Sequence, residues 1–269
     1  MIIVFLISLN SSYFLNMSPG VVSQGLGGAS VMIDEGLSAF HNPAIHQATK
    51  VTFTIARWLY ATHFLSMGAG FKNNVIGISY LNYGSIQGYN EYGGETNAFN
   101  PFNICLVIGR RLGPIGIVVK AFEEKIDEQA LYGICGGISS FLQFNKISFG
   151  AKVDNIGKEF GQKTEIPLTA LFGLKLILPM HIDLIVESRY PDFEVRSGLM
   201  YTYENVKLLL GARYMHPHDA IDDAKMSSSL TDISLTSGLI VQVKKYEIGY
   251  SFAYTEFSNA HQFSVTLMP

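Results

Sequence analysis

Residues 146–155 read KISFGAKVDN. Ile147, Phe149, Ala151 and Val153 fall on one side of a period-2 pattern. Ser148, Gly150, Lys152 and Asp154 fall on the other. A strand's side chains alternate between faces, so this is a strand with one apolar and one polar face. The same pattern recurs. In NVKLLLGARY, 205–214, Val206, Leu208, Leu210, Ala212 and Tyr214 oppose Lys207, Leu209, Gly211 and Arg213. In YEIGYSFAY, 246–254, tyrosines, Ile248 and Phe252 oppose Glu247, Gly249, Ser251 and Ala253.

Extended along the chain, the pattern gives about fourteen segments. They centre on 49–58, 62–71, 74–83, 100–111, 114–125, 129–141, 145–155, 165–178, 181–190, 192–202, 205–214, 231–243, 245–255 and 261–268. Most are near the 9–11 residues, roughly, that cross a bilayer at a tilt. Connections after even-numbered segments are tight, such as RLGP, QFNK and LPMH. Several after odd-numbered segments are long: 84–98, 156–164, 215–230 and 256–260. Short turns at one rim and long loops at the other are the habit of outer-membrane barrels.

Composition agrees. Of the 269 residues, 48% are hydrophobic and only 15% charged, against about 25% charged in an ordinary soluble domain. No run approaches the roughly 20 apolar residues of a spanning helix. The longest are IIVFLISL at the N-terminus and ALFGLKLILPM at 170–180, which contains Lys175 and Pro179. The fold expected is therefore all-β, an antiparallel transmembrane barrel over residues 49–269. The rival is a soluble β-sandwich, which shares the period. Mid-strand charges weigh against it, because a barrel of this size can turn them into its lumen. They are Lys120, Lys152, Asp154, Lys175, Asp183, Glu187, Arg189, Glu194, Arg196, Lys207, Arg213 and Glu247. Opposite signs at neighbouring positions, such as Asp183, Glu187 and Arg189 beside Glu194 and Arg196, predict pairing across strands.

The N-terminal part differs. Residues 1–17, MIIVFLISLNSSYFLNM, have the apolar core of a signal peptide but lack a basic start. The competing readings are a first strand or a displaced start codon. Residues 18–48 contain GLGGASVMIDEGLSAFHNPA, 25–44. It opens like a phosphate loop, yet no Lys-Ser/Thr follows Gly28 and no βαβ alternation follows it. A plug inside the barrel fits better. Gly27 and Gly28 would allow close approach to the wall. Ala29, Met32, Ile33, Leu37 and Phe40 would line one side of a short interrupted helix. Asp34 and Glu35 would meet luminal bases, and Asn42-Pro43 would end the helix.

Other clusters carry less. His216, His218, Asp219, Asp222 and Asp223 gather metal-ligand types at a spacing that matches no established site, in a loop read as solvated. Glu123, Glu124, Asp127 and Glu128 surround Lys125 and read as a solvated hairpin tip. No catalytic set and no cofactor motif is found. A net charge of −3 without a basic stripe speaks against nucleic acid. Cys105 and Cys135 lie in apolar runs and read as free thiols.

Three elements in order resemble the PorV/PorQ group of outer-membrane barrels, relatives of the FadL-like long-chain fatty-acid transporters. They are residues 25–44, GAKVDNIGKEF with the following IPLTALFGLKL, and the closing YEIGYSFAYTEFSNAHQFSVTL. The resemblance implies about fourteen strands with the N-terminal segment folded inside. It also implies a bacterial outer-membrane location and lipid around the wall. Two roles follow from it: a carrier of a hydrophobic small molecule or fatty acid, or a non-enzymatic partner of type IX-like secretion proteins.

Overall fold

A computed structural model describes residues 13–57, 62–90, 92–126, 129–161, 166–191, 193–215, 232–254 and 259–269. Residues 1–12, and with them most of the expected signal peptide, lie outside these, as do the 216–223 cluster, Asp127 and Glu128.

Fourteen antiparallel strands close into one barrel, each paired with its sequence neighbours and the first with the last. They are β1 (Lys50–Arg57), β2 (His63–Phe71), β3 (Asn74–Asn82), β4 (Phe102–Leu112), β5 (Ile115–Ile126), β6 (Gln129–Phe144) and β7 (Ile147–Glu159). Then come β8 (Thr169–Leu178), β9 (Ile182–Tyr190), β10 (Glu194–Tyr203), β11 (Val206–Met215), β12 (Asp232–Val243), β13 (Tyr246–Tyr254) and β14 (Asn259–Leu267). The closing pair runs from Val51↔Leu267 to Arg57↔His261. Closure leaves no edge, so backbone groups in the wall are satisfied without water.

At one rim the turns are residues 72–73, 113–114, 145–146, 179–181, 204–205 and 244–245. Each contains a residue of positive φ: Lys72, Gly113, Asn145, Met180 with His181, Glu204 and Lys244. Primed hairpin turns need that handedness to match the twist of the strands. The opposite rim carries the longer connections, including 83–101, where Ile86↔Phe99 and Tyr89↔Glu95 form isolated bridges.

The outer wall is apolar and exposed: Phe53 and Ile55, Ile76 and Ile78, Leu106 and Ile108, Phe149, Phe172, Leu208 and Leu210 all point out. Exposed aromatics sit at strand ends on both rims. Phe71, Phe144, Tyr203 and Tyr246 lie at the short-turn side, and Tyr132, Phe160, Tyr190 and Tyr254 at the other. An apolar band between two aromatic girdles is a lipid-facing surface. Inward positions are small or polar and buried, such as Thr52, Thr54, Ser66, Ser139 and Ser148. In a soluble sandwich the apolar face would be the hidden one; here it is the reverse.

One bulge breaks the alternation. Gly136 pairs with Ile156 and Ile138 with Val153, so Asp154 and Asn155 together oppose Gly137. Asn155 has φ 63. The extra residue turns two consecutive side chains, Asp154 and Asn155, inward and buried. It also shifts the phase of the strand beyond, which buries Glu159.

Residues 13–48 lie between the walls. Beginning with a 3-10 turn at Tyr13–Asn16, they continue through the short helix α1 (Val21–Gly25) and a run of turns to a second 3-10 turn, Pro43–Ile45. The helix expected across Ala29–Phe40 is absent; those residues form turns. Asn42 caps the second 3-10 turn by accepting from the Ala44 N–H at 3.0 Å, so Asn42-Pro43 starts a turn rather than ending a helix. Side chains of this segment fill spaces left by inward glycines. Leu26 sits over Gly198 of β10, Leu37 over Gly68 of β2, Phe40 over Gly77 of β3, and Pro43 with Ala44 over Gly116 of β5. A segment that touches walls on all sides is inside them.

Candidate functional site: the lumen

Among the described residues, the inward charges of the wall gather in two networks, with two separate pairs nearer the short turns. On β5 and β7, Lys120 Nζ lies 2.7 Å from Asp154 Oδ2 and donates to Asn155 Oδ1 at 2.8 Å. Lys152 shares the same carboxylate at 2.5 Å and donates to the Phe40 carbonyl at 2.6 Å. Without the bulge Asp154 and Asn155 would face opposite ways, and Lys120 would lose one of these acceptors.

Across β9, β10 and β11, Glu194 is fully buried and gathers three arginines. Arg196 Nε approaches at 2.8 Å, Arg213 Nε at 2.5 Å and Arg189 Nη1 at 3.7 Å. Glu187, also fully buried, lies 3.1 Å from Arg196. Its other oxygen accepts from the Ser30 and Val31 N–H groups, each at 2.7 Å. Arg196 donates to the Gly28 carbonyl at 2.7 Å. The pair therefore grips residues 28–31 by their backbone. Nearer the short turns, Lys175 pairs with Asp183 at 2.7 Å and Lys207 with Glu247 at 2.6 Å.

Within the inner segment, a Cβ on Gly27 would come within 2.5 Å of the Ala212 carbonyl oxygen, and φ is +73 there. Only glycine fits both demands. Asp34 meets a wall base, Lys50, at 3.3 Å. Glu35 does not: its partner is His41 of the same segment, with Nδ1 3.1 Å from Oε1. The other ring nitrogen, Nε2, is 2.6 Å from the Pro19 carbonyl, which can only accept, so Nε2 carries a proton. Nδ1 and Oε1 lie at contact distance, without the alignment of a hydrogen bond. Burial is the main cause that pushes Glu35 up to about 8 and His41 down to about 3. The two shifts leave the carboxyl protonated and the imidazole neutral near pH 7.

Glu124 departs from the solvated-tip reading. It lies on the inward face of β5 and is buried, because β5 continues to Ile126. Phe122 is inward too, and meets Phe14 edge-on at a centroid distance of 5.9 Å. Cys105 and Cys135 are buried and unbridged. Sequence reasoning missed His41, Phe14 and the role of the inward glycines as seats for residues 13–48. The glycines left a signal: Gly150, Gly173, Gly198, Gly211 and Gly249 all occupy the polar phase of their strands.

Two cavities lie against the inner segment. One, of about 30 Å³, is bordered by Leu15, Met17, Phe40 and Leu171 with Lys152 and Arg196. The other, of about 160 Å³, lies toward the short turns among Met32, Ile45, Phe141 and Ile177, with Asp34 and Lys175.

No protein-family model and no curated protein matches the sequence. Solved structures match in fold. A Pseudomonas aeruginosa FadL homologue superposes with a TM-score of 0.61 at 8% identity, covering 94% of this chain and 99% of that one. The CymD monoaromatic hydrocarbon channel gives 0.57 at 13%, covering 92% and 96%. The Pseudomonas putida toluene transporter TodX gives 0.54 at 11%, covering 93% and 96%. The chain has a FadL-type fold. Its lipid-facing wall, girdles and closed sheet place it in a bacterial outer membrane, with the short turns on the periplasmic side.

Proposed function

We propose that this protein binds and passes small hydrophobic molecules at the outer membrane, with residues 18–48 as the plug of the barrel. One observation carries the reading: apolar side chains of the inner segment border cavities in an otherwise polar lumen. Phe40 of the plug, with Leu15 and Met17 from the stretch just ahead of it, supplies the apolar surface, and Lys152 and Arg196 supply positive charge beside it. Two solved neighbours, a toluene transporter and a monoaromatic hydrocarbon channel, support the same class. The PorV/PorQ relationship is the finer form of this reading and rests on the three sequence elements. The secretion role draws on loop 215–230, nearly all of which lies outside the described residues, and none of these neighbours is named for secretion.

Detergent-purified protein should bind a C12 fatty acid or p-xylene saturably in calorimetry. Phe40→Asp should weaken binding by at least about tenfold, equivalent to about 1.4 kcal/mol. Absence of saturable binding to wild type for either probe would refute the reading.

A further inference from the structure

The two cavities stand on one stripe of the wall. Inward residues of β7 and β8 face each other in rows: Asp154 with Thr169, Lys152 with Leu171, Gly150 with Gly173, Ser148 with Lys175. The first two rows border the upper cavity. The last borders the lower one. Between them lies the glycine pair alone. Successive inward rows are two residues, hence about 7 Å, apart along a strand. A single layer of side chains therefore separates the cavities.

That layer is Val31 and Met32. A Cβ on Gly150 would meet Met32 Sδ at 2.6 Å, and one on Gly173 would meet Val31 Cγ1 at 2.4 Å and Met32 Cγ at 2.7 Å. The backbone there is held from two directions. Val31 N–H donates to Glu187, and the Val31 carbonyl accepts from Asn42 Nδ2 at 2.9 Å. Met32 is unbranched, with a polarizable thioether and several rotatable bonds. Its side chain can change rotamer while the clamp on its neighbour stays closed. Below it, Gln47 and Gln143 of the lower cavity are exposed, so that cavity opens at the short-turn rim.

We infer that the two cavities are halves of one transit path along β7 and β8, and that Met32, seated on Gly150 and Gly173, is the constriction that closes it. The inference rests on the transport reading above and names the residue that sets what passes. An apolar thioether between Leu171 on one side and Phe141 with Ile177 on the other yields to a slender apolar molecule and resists hydrated ions.

The test is single-channel conductance in planar lipid bilayers containing potassium chloride. Met32→Ala removes the longer side chain of that layer, leaves Val31 in place, and should raise conductance severalfold over wild type. Leu26→Ala is the control: Leu26 is equally buried and sits over another inward glycine, Gly198, but borders neither cavity. It should conduct as wild type does. The inference is overturned by a Met32→Ala channel that conducts like wild type, or by an equal rise in Leu26→Ala. Should Met32→Ala fail to insert, Met32→Gln keeps the length, wets the constriction and should still raise conductance; no change would overturn the inference equally. Binding of the C12 fatty acid and p-xylene to wild type separates the two claims. Binding without a conductance change removes the constriction and leaves the transport reading. A conductance change without binding does the opposite.

Discussion

Glu187 shows what one luminal residue can hold. It has no exposed surface and accepts from two backbone N–H groups and Arg196. Replacing a carboxylate with an amide, Glu187→Gln, would turn one acceptor oxygen into a donor facing donors. Breaking one partner of a buried ion pair costs about 3–5 kcal/mol. The expected outcome is an inserted barrel whose residues 18–48 become open to protease added from the periplasmic side. Protection equal to wild type would show that Glu187 does not anchor the segment. The inward position of Glu187 was legible in the sequence because parity along β9 gives it. Its contact with the Ser30 and Val31 backbone was not, since no pattern reports where a neighbouring loop places its N–H groups.

At the scale of the element, residues 18–48 contain a proton-dependent joint. Glu35 and His41 lie side by side off the spanning strands, 3.1 Å apart, and the His41 Nε2–H donates to the Pro19 carbonyl. A carboxyl raised from 4.5 to about 8 stabilises the packed segment fully below 4.5, and this is lost as pH rises through about 8. An imidazole lowered from 6.5 to about 3 acts in the other direction, with stability lost as pH falls from 6.5 toward 3. The two effects offset one another between 4.5 and 6.5. Protection of residues 18–48 against hydrogen exchange, taken relative to the intrinsic rate at each pH, should therefore be highest in that window and lower by pH 8. Glu35→Gln can donate to His41 Nδ1 without titrating, so it should abolish the alkaline limb; an unchanged limb would assign it to another group. Burial decides both shifts, and burial is a property of the packed lumen that the seven residues from Glu35 to His41 do not reveal. The β7 bulge teaches the same lesson. Unbroken alternation from KISFGAKV places Asp154 correctly but puts Asn155 outward, whereas the αL residue at 155 turns it inward.

For the whole molecule, closure predicts behaviour. Every strand is hydrogen-bonded on both sides, so unfolding must open the ring at once. Unboiled protein should run faster on gels than boiled protein and should require detergent to stay dispersed. A soluble sandwich would show neither. Each of the fourteen segments read from periodicity corresponds to a strand, with ends within a few residues. That fidelity has a cause. A strand in this wall meets lipid on one side and a polar lumen on the other, so each residue's phase is set by two solvents at once.

The sequence by itself determined the strands, their count, the face of the mid-strand charges ahead of the β7 bulge and the long-loop and short-turn rims, because all of these depend on local alternation and turn chemistry. The tertiary structure alone decided which charges meet, how residues 18–48 are seated, and where the lumen stays open. Those depend on which strands lie opposite across the barrel and on the space left by inward glycines, and a one-dimensional period carries neither distance.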